Sequence, residues 1–272
     1  MGFFKKLFEK KECDLCGGEI GLLGNRKLED GNMCKDCAKK LSPWFSERRS
    51  STIEQIREQL AYREENYRQL QDFRVENILG DYNKMYIEEV NGIPTRFYVT
   101  DARDPMEANP DIIAFKDVIT CVTDIRNTRN ELKRKNANGE MVSYSPPKYE
   151  YTYQFQIEMT IRNNPYFDSI RFQVHSFPVR VTMEERSVGF LGAALGVREM
   201  EPTYDHAYQK CKKLCEQIEQ IVADGKHAAM AAPVAQEAVA EEPETVSRPS
   251  SCPVCGAPAG EGKFCEYCGA KL

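Results

Sequence analysis

Cys13-Asp-Leu-Cys16-Gly-Gly18 and, with seventeen residues separating Cys16 from it, Cys34-Lys-Asp-Cys37 decide how the first part of the chain folds. Two residues between cysteines let one tight turn aim both sulfurs at a single ion, and Gly17 and Gly18 permit the backbone angles such a knuckle requires. Each pair is therefore half of a tetrahedron. The spacing falls within the four-cysteine zinc pattern, so Cys13, Cys16, Cys34 and Cys37 are the expected ligands of one structural Zn2+.

Between the pairs, Ile20 to Leu28 and Asp30-Gly-Asn-Met33 read as a small hairpin with a glycine turn, and Cys37 to Leu41 as a short helix stopped before Pro43. Knuckle, hairpin and helix together resemble a treble clef. The start Gly2-Phe-Phe-Lys-Lys-Leu-Phe8, the cysteine spacing and Asn25-Arg-Lys-Leu-Glu-Asp-Gly31 are similar to the bacterial family called domain of unknown function 4428, over roughly residues 12 to 60. That resemblance names no activity.

The chain closes on a second set: Cys252-Pro-Val-Cys255-Gly256 and Cys265-Glu-Tyr-Cys268-Gly269, with nine residues between Cys255 and Cys265. It resembles the short zinc ribbon carried at an end of many bacterial and archaeal proteins. A segment this short has almost no hydrophobic core, so metal binding, worth about 10 kcal/mol or more in zinc-finger peptides, must supply its fold. Two structural zinc ions are thus expected. Eight of the eleven cysteines fall in these four Cys-x-x-Cys pairs, and no apolar signal segment precedes them. Metal ligation is the reading that spacing favours in a reducing compartment, over disulfides or a redox pair, and four thiolates leave no open coordination position for catalysis.

The formal net charge is −5 over 272 residues. Four thiolates around Zn2+ carry about two further negative charges per site, and an acidic chain is a poor generic ligand for phosphates. Nucleic acid is accordingly an unfavoured partner, although zinc ribbons and treble clefs often serve it. No run approaches the roughly 18 to 20 apolar residues that span a bilayer, so the chain reads as cytoplasmic. Residues 1 to 11 interleave Phe3, Phe4, Leu7 and Phe8 with Lys5, Lys6, Lys10 and Lys11, a pattern suited either to weak attachment at anionic lipid on the inner membrane face or to packing on the adjacent zinc module.

Ser51, with Glu54 three residues later, reads as the cap of a connecting helix over residues 50 to 74, with Ile53, Ile56, Leu60, Tyr67 and Leu70 on one face. Arg63 and Glu64 interrupt the heptad, so packing on a central domain is expected in place of a coiled coil. That domain, residues 80 to 225, opens with strands flanking Asn91-Gly92. Long alternating runs follow over Asp111 to Ile125, Tyr149 to Ile161 and Ser169 to Phe177. A helix carrying Tyr204, Ala207, Tyr208, Cys211, Leu214, Cys215, Ile218, Ile221 and Val222 should cover the sheet, with Cys121, Cys211 and Cys215 as small core residues. Antiparallel strands followed by one helix resemble the pleckstrin-homology-like architecture. Residues 226 to 250, rich in Ala, Pro and Glu, read as a disordered linker before the ribbon at 251 to 272. The expected class is therefore α+β multidomain: treble-clef-like module at 12 to 45, connecting helix, central β domain, linker and ribbon.

Arg126, Arg129, Lys133, Arg134, Lys135 and Lys148 read as a basic loop between strands, where pleckstrin-homology-like domains often contact ligands. The histidines His175, His206 and His227 lie apart from any paired carboxylate or framed nucleophile, and Gly189 to Gly196 lacks the Lys-Ser or Lys-Thr of a phosphate loop. The expected role is a zinc-binding adaptor engaging other proteins without catalysis. Membrane-surface binding through the basic segments and nucleic-acid binding are the alternatives.

Overall fold

A computed structural model describes residues 11–21, 23–184, 202–231 and 257–258. Residues 1 to 10 of the expected amphipathic start, the glycine-containing stretch at 189 to 196, the expected linker from residue 232 and the four cysteines of the expected terminal ribbon lie outside the described residues. By contact the chain divides into two units, Met1–Ala231 and Ala232–Leu272, and the elements below belong to the first.

Two ribbons of minimal length build the cysteine module. β1 (Lys11–Glu12) pairs with β2 (Glu19–Ile20), and β3 (Arg26–Lys27) with β4 (Asn32–Met33). Helix α1 spans Lys35–Lys39. After a 3-10 turn at Glu47–Ser50 comes α2, Ile53–Gln71. Its cap is Thr52, one residue later than the sequence suggests: the Thr52 hydroxyl accepts from the Gln55 N–H at 3.3 Å while the Gln55 side chain accepts from the Thr52 N–H at 2.9 Å. Thr52 and Gln55 satisfy the same capping-box pattern as Ser51 and Glu54, and Ser51 instead closes the preceding turn by donating to the Glu47 carbonyl.

The first sheet of the β domain has the order β5-β6-β7-β8, from Asn77–Leu79, Lys84–Val90, Ile93–Thr100 and Ile113–Ala114. Asn91 and Gly92, with φ of 55° and 75°, make the tight turn between β6 and β7 that the dipeptide predicts. Between β7 and β8, a single-turn helix α3 spans Pro105–Ala108. The long strand expected over 111 to 125 is broken by a 3-10 turn at Phe115–Asp117. There the fully buried Phe115 packs on Phe97, ring centroids 4.9 Å apart, and the chain crosses to the second sheet.

In that sheet β10 (Met141–Ile161) is central. Along one edge it pairs with β9 (Val118–Lys135), and along the other with β11 (Ser169–Gln173) and β12 (Val179–Glu184). Alternation decides its faces: Tyr151, Tyr153, Phe155, Ile157, Met159 and Ile161 are buried on one side while the residues between them are not. Helix α4 (His206–Ala231) lies over this face with Tyr208, Cys215, Ile218 and Val222 inward. Tyr204 falls outside the helix and is 69% exposed, against the expected stripe, with its hydroxyl donating to the Thr182 carbonyl. The helix runs six residues into the stretch whose composition suggests a linker. Gly225 is required by close approach, since a Cβ there would lie 2.6 Å from the Phe115 ring. Cys121 and Cys211 pack at the margin of this core and Cys215 within it.

The basic segment corrects a further expectation. Arg126 to Lys135 is the outer half of β9, laddered to β10, and the connecting turn is only residues 136 to 140. Exposure on both faces makes such a strand look like a solvated loop, because no apolar alternation marks it.

Candidate metal centre

The two knuckles meet. The sulfurs of Cys13, Cys16, Cys34 and Cys37 all lie within 4.8 Å of one another. Cys13 and Cys37 are 3.9 Å apart and Cys16 and Cys34 3.8 Å apart. A tetrahedral ion with metal–sulfur bonds of about 2.3 Å needs sulfur–sulfur edges of about 3.8 Å. The four residues thus fit one tetrahedral, thiophilic ion.

Local chain geometry sets this up. After Cys16 the backbone turns through Gly17 at φ 70°, and the Cys13 N–H donates to the Gly18 carbonyl at 2.9 Å, closing the first knuckle. The second knuckle opens α1, where the Cys34 sulfur accepts from the Cys37 N–H at 3.3 Å. The Cys34 N–H in turn donates to the Cys13 sulfur at 3.2 Å, tying the knuckles together. Donors aimed at sulfur favour thiolates. Burial pushes the Cys13 thiol up, but the N–H groups of Cys34, Cys16 and Leu15 outweigh it and bring it down to about 6. Cys37 moves the opposite way, raised by burial first and then by the three neighbouring thiols. Four sulfurs this close cannot all ionise without a cation, and a divalent ion held there would supply the missing charge.

Leu28, Met33, Leu41 and Ile56 form a small core under the cluster, so α2 is already part of the module. Asp14 and Asp30 pin the loops: the Asn32 N–H donates to the Asp14 carboxylate at 2.7 Å, and the Ile53 N–H at the start of α2 to that of Asp30 at 2.8 Å.

A buried polar joint then fixes the module to the β domain. Arg63 of α2 donates to the Asp111 carboxylate at 2.7 Å, to the Lys40 carbonyl at 3.1 Å and to the Asn109 carbonyl. Ser42 and Tyr62 donate to the same carboxylate at 2.7 and 3.2 Å. Asn66 donates to Pro110 and accepts from Ile112. Arg63 and Asp111 have side chains only 5% and 0% exposed; three donors reach the carboxylate and Arg63 reaches three acceptors, the kind of partnering a buried ion pair requires. The sequence marks Arg63 only as a break in an apolar heptad, and nothing in the residues around Asp111 announces its partner.

His175, expected in a strand, sits just past β11. Burial pushes its pKa down, and the neutral ring accepts from the Phe155 N–H at 2.9 Å, prolonging the ladder by a side chain. A cleft of about 790 Å³ opens between Lys39, Lys40, Leu60, Tyr67 and Met106, and its buried cation Arg63 is already committed to Asp111.

Residues 11–59 match a family model described as Domain of unknown function (DUF4428). The matched stretch holds the four clustered cysteines and ends inside α2. No curated protein and no solved structure matches the chain.

Proposed function

We propose that the chain is a zinc-stabilised adaptor that binds other proteins and carries no catalytic chemistry of its own. The observation that carries this reading is the closed cluster of Cys13, Cys16, Cys34 and Cys37, whose four sulfurs complete a tetrahedron and leave no position for substrate or water. Zinc suits four thiolates in that geometry and brings no redox chemistry. Cys252, Cys255, Cys265 and Cys268 supply a second zinc site on the same spacing argument. Two antiparallel sheets followed by one long helix support the pleckstrin-homology-like reading of the central domain, a scaffold for binding surfaces. The commitment of Arg63, Asp111 and His175 to structural bonds supports the absence of catalysis.

Native mass spectrometry tests the metal assignment. The intact chain should carry two zinc ions, falling to one when Cys13 and Cys16 are both changed to serine and to one when Cys252 and Cys255 are. A chain without bound zinc sinks the reading. Affinity capture with and without residues 228 to 272 tests the adaptor role, and an unchanged partner set removes the ribbon from it.

A further inference from the structure

A cleft of about 640 Å³ opens in the cysteine module between β3 and the 3-10 turn at Glu47–Ser50. Asn25, Arg26, Lys27, Glu29, Arg48 and Arg49 are among its walls. One hydrogen bond ties the two sides, the Arg48 guanidinium donating to the Lys27 carbonyl at 2.9 Å. Arg26 reaches back to the Leu23 carbonyl at 3.4 Å. Both residues are half-buried, and each guanidinium is held through Nη1 with its other N–H groups uncommitted among the described residues. Arg49 makes neither hydrogen bond nor ion pair there.

The charge of this cleft is not neutralised. Glu29 lines it and Glu47 precedes Arg48, yet neither carboxylate comes within ion-pair reach of Arg26, Lys27, Arg48 or Arg49. Burial pushes the pKa of Arg48 down, and the charges of Arg49 and Arg26 push it down further, so the guanidiniums are close enough to repel one another. In a chain of net charge −5, three of them meet without an anionic partner. A ligand bringing the missing negative charge would relieve that repulsion.

We propose that this cleft binds a phosphate monoester carried on a serine or threonine of a partner protein, a refinement that rests on the adaptor reading. The phosphoryl dianion offers three oxygens, one for each of Arg26, Arg48 and Arg49, where a carboxylate offers two. Clustered arginines are a recurring means of recognising phosphorylated segments. The volume accommodates flanking residues beside the phosphoryl group. Nucleic acid is a poorer fit, because no aromatic side chain lines the cleft for a base to stack on. A bilayer is poorer too: Arg26 and Arg48 are recessed, and Leu23, 90% exposed beside Arg26, adds only one aliphatic side chain.

Fluorescence anisotropy against the full chain tests this, with a pool of labelled peptides bearing one central phosphoserine or phosphothreonine between random flanks. The pool should bind about tenfold tighter or better than its unphosphorylated counterpart, and inorganic phosphate should compete. The double change Arg26→Gln and Arg49→Gln should abolish binding with an unchanged circular dichroism melt. Arg48→Lys keeps the charge but loses the planar fork, and should weaken binding about tenfold. Equal binding of the two pools overturns phosphate recognition, as does binding that survives the double change. Shifts of the cleft amides with inorganic phosphate but no pool binding overturn the protein partner and assign the cleft to a free phosphorylated molecule. Capture by phosphatidylinositol-phosphate vesicles with no pool binding overturns it in favour of a membrane. If pool binding fails while partner capture by the full chain persists, this cleft is wrong and the adaptor reading stands; if both fail, both are wrong.

Discussion

Leu28 and Met33 in the cysteine module are buried as deeply as Phe155 and Ile157 in the β domain, yet the module's strands are two residues long while β10 runs for 21. In the β domain the inward residues of β10 share one core with residues of β11, β12 and α4, and burial of each large apolar side chain contributes about 1.5 to 3 kcal/mol. In the module the apolar set is small and surrounds sulfur. The comparison teaches that burial alone does not say what holds a fold: one region has an extended core, whereas the other has a small core around four sulfurs that could take a metal ion, and on the proposed reading that ion would order its loops.

Metal removal should break the comparison most visibly. Chelation, or the double change Cys13→Ser and Cys16→Ser, forfeits an apparent binding energy of about 10 kcal/mol and should release amide protection over residues 11 to 41 while β6, β7 and β10 keep theirs. Hydrogen exchange reads this, and equal loss in both regions would contradict it. Next in size, Arg63→Ala leaves Asp111 buried without its cation and should cost about 3 to 5 kcal/mol in urea unfolding, at unchanged zinc stoichiometry. Smaller still, Gly225→Ala forces a methyl against Phe115 and should cost about 1 to 3 kcal/mol, lowering the melting temperature of the β domain without loosening the cysteine module.

How far the sequence was legible follows the range of the forces involved. The knuckles could be read because metal geometry dictates spacing within a few residues, and the Asn91-Gly92 turn because its backbone angles are local. The inward face of β10 was equally plain, since burial on one side writes a period of two into the chain. What escaped depends on distant partners: Arg63 and Asp111 are 48 residues apart, and either looks like a surface charge by itself. β12 carried its signal in Val179, Val181 and Met183, but over too few residues to stand out. The outer part of β9 was hidden for the opposite reason, because a strand that buries neither face has no pattern to show.

Helix α2 touches the module's small core through Ile56 and the polar joint through Arg63, two turns apart on one rod. The angular setting of the cysteine head relative to Asp111 is therefore a count of residues. Adding one residue to α2 between these positions would swing the head by roughly 100° and shift it by about 1.5 Å, whereas adding a full heptad would restore its bearing to within about 20°. The helix works as an indexing shaft, and length changes at this junction are tolerable only in steps that return the same face.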